Sequence, residues 1–223
     1  MDWSALFLSL KLALATLAVL LPLGLVLAHY LAFQRFKGRA LVEALVMLPL
    51  VLPPTVLGLY LLMGFGGKSW LGAWLEQSFG VSLGFTFSGI LLASLVFNLP
   101  FMVQPIQKAF EAIHEDLREA ALVSGLSPWQ RFLKVELPLA WPGIVSALVL
   151  TFAHTLGEFG VVLMVGGSIP GETKTLAISI YDRVQAFDLA GASQMSLVLL
   201  LISGLAIMAS FAATRNLTVA KRS

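Results

Sequence analysis

Glu158 is the one acidic side chain deep inside an apolar run, and His154 stands four residues ahead of it. On a helix that spacing puts both on one face. An ionisable group in hydrocarbon is costly and by default functional, here as a proton or cation relay. The alternative is structural. Gly157 and Gly160 would mark a helix break near the outer surface, with Glu158 satisfying backbone N–H groups freed there. A relay also needs a second buried acid, and no other apolar run offers one, so the structural role is preferred.

Other chemistries lack their residues. The histidines His29, His114 and His154 fall in separate segments without metal-ligand spacing. With no cysteine, disulfides, thiolate metal sites and cysteine nucleophiles are excluded. There is no glycine-rich phosphate loop with its lysine and hydroxyl, so any energy from ATP must come from another chain. The chain is expected to be neither an enzyme nor a cofactor carrier. A second candidate feature is the run LPLVLPP, in which Pro49, Pro53 and Pro54 interrupt one span. Each removes a backbone donor, and the carbonyls so freed are tolerated at membrane depth where they line a cavity or pack in protein. The run is therefore a pathway or gate, or else a helix bent to pack. Asn98, close to Pro100, is expected to make an interhelical hydrogen bond.

These residues need a membrane to hold them. Of the 223 residues 58% are hydrophobic and 12% charged, against about a quarter charged in soluble domains. A net charge of +2 is too small to argue for nucleic acid. Apolar runs near the roughly 20 residues that cross a bilayer occur at 12–33, 41–64, 85–103, 139–165 and 194–213, giving five spans in one domain covering 1–223. The first run has no basic segment ahead of it and is read as retained. Lys11 is placed at its outer end.

Orientation follows from Lys and Arg, which favour cytoplasmic loops. With the turn after span one inside, Arg35, Lys37, Arg39, Lys108, Arg118, Arg131, Lys134, Arg215, Lys221 and Arg222 are cytoplasmic, and only Lys11, Lys68, Lys174 and Arg183 are outside. The expected fold is an all-α integral membrane protein, N-terminus out and C-terminus in. In the outer loops, Trp70 and Trp74 suit the membrane interface, and 175–184 suits a short helix or re-entrant piece.

The longest polar interruption, EAALVSGLSPWQRFLKVELP at 119–138, lies on the cytoplasmic side within a segment spanning 105–138. Ile113, Leu117, Ala120 and Ala121 follow helical spacing. Gly125 suits a left-handed helix end, and Ser127, Pro128 and Gln130 form a capped start for a second helix. This segment resembles the signature of the membrane subunits of bacterial ATP-binding-cassette importers, carried here by Glu119, Ala120, Ala121, Gly125, Val135, Leu137 and Pro138. Val135 stands where isoleucine is usual, and Leu122 where relatives often have a basic residue. Within that family the chain looks most like molybdate permeases, through LPLVLPP (48–54), LGEFG (156–160) and IPGETKT (169–175); sulfate and tungstate permeases share much of the pattern.

The resemblance implies a homodimer in a bacterial or archaeal cytoplasmic membrane. It also implies two cytoplasmic ATP-binding subunits, an external oxyanion-binding protein, and a coupling helix–turn–helix that docks through Ala120, Ala121 and Gly125. Pro49, Pro53, Pro54, Gly157, Glu158 and Gly160 become pathway or gate candidates. A dianion is repelled by carboxylates, so Glu158 is expected to serve a gate or helix end without touching it.

Overall fold

Asp2 starts the first helix by accepting the Ala5 N–H at 3.0 Å, and an uninterrupted apolar sequence then carries it from Trp3 to Phe33. A computed structural model describes residues 1–67, 69–80 and 82–220, the side chains of 71, 79 and 212–220 excepted. Lys68, Lys221 and Arg222 lie outside the described residues, as does the side chain of Arg215. Among the described residues every regular element is helical. They are α1 (Trp3–Phe33), α2 (Arg39–Val51), α3 (Pro54–Phe65), α4 (Trp70–Phe79), α5 (Phe87–Glu111), α6 (Glu115–Val123), α7 (Pro128–Arg131), a π-helical turn (Phe132–Glu136), α8 (Leu137–Gly157), α9 (Gly160–Gly166), α10 (Leu176–Gln185) and α11 (Leu189–Ala220).

Among the described residues four helical stretches are long and apolar enough to cross a membrane, and α2 with α3 makes a pair bent by 113° at its break, the geometry of a broken span or a re-entrant loop. The first span begins well before residue 12, because the Asp2 cap and the apolar residues after it extend the helix outward. Lys11 therefore lies within α1 and not at its end, with its ammonium 4.2 Å from the centroid of the Phe87 ring. The second and fourth expected spans are each two helices. Pro53 and Pro54 break one, and Glu158 and Phe159 separate α8 from α9 in the other.

The core gathers where α1, α5 and α8 pack together, around Leu20, Leu31, Met102, Ile106, Phe110 and Ile144. Nearer the outer side, Leu57, Ala93, Phe97, Val161 and Val165 bind α3 and α9 to α5. Leu12, Ile90, Val162 and Ile178 continue that layer. Large apolar side chains such as Phe7, Val26, Leu200 and Phe211 face outward, as lipid contact requires.

Polar contacts tie the helices together at both ends of the bundle. At the outer end, Ser9 Oγ accepts the Leu176 N–H at 2.8 Å, and Ser179 Oγ donates to Asp2 at 2.9 Å. These bonds tie the start of α1 to α10, which fills the expected segment as a short helix. At the cytoplasmic end Arg39 pairs with Glu43 and with Glu111, at 2.9 and 3.0 Å.

Candidate functional site

The coupling segment folds as its caps dictate. The Leu126 N–H reaches the Ala121 carbonyl at 3.1 Å and the Gly125 N–H reaches Leu122 at 2.9 Å, with Gly125 at φ +75°. That is a Schellman closure, and it needs the conformation glycine adopts without strain. Ser127 and Gln130 then make the reciprocal capping box, at 3.3 and 3.0 Å. Ala121 turns inward and is buried, whereas Glu119, Ala120 and Gly125 are exposed. Beside them Leu122 and Val123 are also open, Val123 at 90%. Val135 and Leu137 are partly buried and Pro138 is exposed. The open face of the turn is thus small and apolar, and it omits Ala121.

A second buried acid lies in the coupling segment, outside the apolar runs. Glu136, at the end of the π turn, has no exposed surface. Arg118 of α6 and Arg131 of α7 donate to its Oε1 at 2.8 and 3.1 Å, and His29 of α1 donates to Oε2 at 2.7 Å. The chain between Ser127 and Pro138 reads as polar coupling surface, and the signal missed there was a lone acid directly ahead of an apolar run.

The second candidate site lies nearer the outer side. The break between α2 and α3 meets the break between α8 and α9, and together they line a cavity of about 560 Å³. Its walls include Pro54, Thr55, Phe97, His154, Gly157, Glu158 and Gly160. Of the three prolines only Pro54 reaches it; Pro53 caps α3, and Pro49 is buried within α2. The two half-helices touch closely. A Cβ on Gly160 would stand 3.0 Å from the Pro54 Cβ, and one on Gly58 would stand 2.7 Å from the Met164 Cβ.

Glu158 does not serve freed backbone N–H groups. Its Oε2 accepts from Ser94 Oγ at 2.7 Å and from Asn98 Nδ2 at 3.0 Å, both on α5. Its Oε1 is buried without a hydrogen-bond partner among the described residues. His154 makes no bond to Glu158; its Nδ1 donates to Asn98 Oδ1 at 2.9 Å. Asn98, as expected, links helices, and it carries the connection between the two titratable groups. His154 also packs on Phe101 and Phe97, with centroids 4.0 and 5.0 Å away. Among the described residues no group of acids and histidines is arranged to hold a metal.

A family model described as "Binding-protein-dependent transport system inner membrane component" matches residues 21–219. The chain belongs to that family. Among relatives of this inner membrane component, the molybdenum transport system permease protein ModB of Azotobacter vinelandii is 46% identical over 215 residues, covering 96% of this chain and 95% of its own. The sulfate transport system permease protein CysT of Escherichia coli (strain K12) is 37% identical over 180 residues, covering 81% of this chain and 65% of its own. Among solved structures, a bacterial transporter that imports the acidic polysaccharide alginate aligns with a TM-score of 0.78 at 18% identity. That alignment covers 96% of this chain and 78% of the other, which shows the fold. The inner membrane component is a transport subunit, and its helical bundle shares the fold of the alginate importer.

Proposed function

We propose that this chain is the permease subunit of an ATP-binding-cassette importer that carries molybdate across the cytoplasmic membrane, with ATP hydrolysed by a partner. The observation that carries this reading is the end-to-end match to the molybdenum permease of Azotobacter vinelandii. In the working assembly two copies of the chain meet two cytoplasmic ATP-binding subunits and an external oxyanion-binding protein. The open face of α6 and α7, around Ala120, Val123 and Gly125, docks on the ATP-binding subunit. Glu119 caps that surface at one end, and Val135, Leu137 and Pro138 root it in α8.

Closure of the ATP-binding subunits on ATP moves this element, and the spans answer by changing which side is open. The gate is assigned to the meeting of the two breaks, where Pro54, Gly157, Glu158 and Gly160 lie together, with Pro49 and Pro53 setting the bend. Glu158 is engaged by Ser94 and Asn98, which suits holding the gate shape better than contacting a dianion that it would repel. The anion itself passes hydroxyls, backbone dipoles and water, and tight binding is left to the external protein.

The test is uptake by vesicles holding the permease, the ATP-binding subunit and the oxyanion-binding protein. Molybdate should accumulate only with ATP, and unlabelled molybdate should compete better than sulfate. Gly125→Val places a β-branched residue at positive φ, a strain of about 1–2 kcal/mol, and should abolish uptake while the protein still inserts. Uptake without the ATP-binding subunit would point instead to an ion-coupled carrier. The sulfate relative supplies a second reading, an importer of tungstate or sulfate, which the competition order decides.

A further inference from the structure

Glu136 draws three separate helices onto one carboxylate. Oε1 takes the bonds from Arg118 of α6 and Arg131 of α7, the two helices of the coupling element. Oε2 takes the bond from His29, in the cytoplasmic half of α1. Each partner is braced in turn. The Arg118 guanidinium lies 3.6 Å from the centroid of the Phe33 ring, and His29 is met edge-on by Phe33, Phe110 and Phe132. The acid closes a π turn, a widened turn of the kind often found at functional sites.

Buried ion clusters seldom raise stability over an apolar equivalent of the same shape. What this one adds is a fixed relation between elements. Its importance is greater because α6 is otherwise weakly held, with Ala121 its one buried residue. The carboxylate divides the labour between its oxygens, one holding the coupling helices and the other holding α1.

We propose that Glu136 is the positioning residue through which movement of α6 and α7 is handed to the membrane-spanning helices. It passes to α1 through His29 and to α8 through its own backbone. The inference rests on the reading of α6 and α7 as the element that docks on the ATP-binding subunit. His29 is the selective handle, because its loss removes the carboxylate's own bond to α1 while both arginines keep their partner, Arg118 with its seat on Phe33.

The assembled transporter, with the ATP-binding subunit and the binding protein, would be placed in vesicles and scored for molybdate moved per ATP hydrolysed. His29→Ala should retain the ATP-binding subunit on purification yet lower that ratio about tenfold, within the usual range for coupling between two sites. His29→Gln, whose amide can still donate to Oε2, should recover most of it. Glu136→Gln should lower the ratio as His29→Ala does. An unchanged ratio in His29→Ala overturns the inference, even where Glu136→Gln fails to accumulate. So does a loss that His29→Gln cannot repair. If the unaltered chain fails to retain the ATP-binding subunit, the docking reading falls and takes this inference with it.

Discussion

At Asn98 one side-chain amide holds three parties together. Its Nδ2 reaches Ser94 and Glu158, and its Oδ1 accepts from His154. Asn98→Ala would leave Glu158 with Ser94 alone and His154 Nδ1 without an acceptor. Unmade bonds of buried groups cost about 1–3 kcal/mol, so the thermal midpoint in detergent should fall, and an unchanged midpoint would count against the network. Asn98 was legible as a helix-to-helix bond, being a lone amide in an apolar run. Its partner was not, because Glu158 lies 60 residues further along the chain and only packing brings them together. Glu136 was harder still. It stands between Val135 and Leu137 at the end of a stretch that reads as surface, and its burial depends on Arg118 and His29, 18 and 107 residues away, being brought to it by packing.

Among the elements, those made by local bonds were readable and those made by packing were not. Ser127 with Gln130, and Gly125 at its turn, specify α6 and α7 within a few residues. The prolines at 53 and 54 announce a break, but its 113° bend is set by α9 lying against α3 through Gly58 and Gly160. The outer end of α1 shows the same dependence and gives a pH prediction. Partial burial raises the Asp2 carboxyl, yet the Ala5 N–H, the hydroxyls of Ser4 and Ser179 and the charge of Lys174 outweigh it and hold it below its ordinary value. A carboxyl lowered by folding contributes stability in full above its unfolded pKa, about 3.9, and loses it as pH falls through the folded value. Between about pH 6 and about pH 3 the unaltered protein should therefore lose more thermal stability than Asp2→Asn. Equal losses in the two would show that folding does not lower the Asp2 carboxyl.

For the whole molecule, orientation is the property most directly open to measurement, because the chain has no cysteine to interfere. Ser124→Cys, at the exposed end of α6, should resist an impermeant maleimide in intact cells and react in inside-out vesicles that lack the ATP-binding subunit. Ser78→Cys, in the exposed part of α4, should do the reverse, and the opposite pattern would invert the topology. Orientation also sets the direction of electrical work. A dianion imported toward the negative side meets about 4.6 kcal/mol at 100 mV, from about 2.3 kcal/mol per charge. The same field pulls an unguarded dianion outward, so a pathway open at both ends would discharge whatever the cell had stored. On the proposed gate assignment, the close seat of α3 on α9, with glycines at 58 and 160 admitting Met164 and Pro54, would act as an insulator. A gap of one side chain there would cost the cell charge as well as cargo.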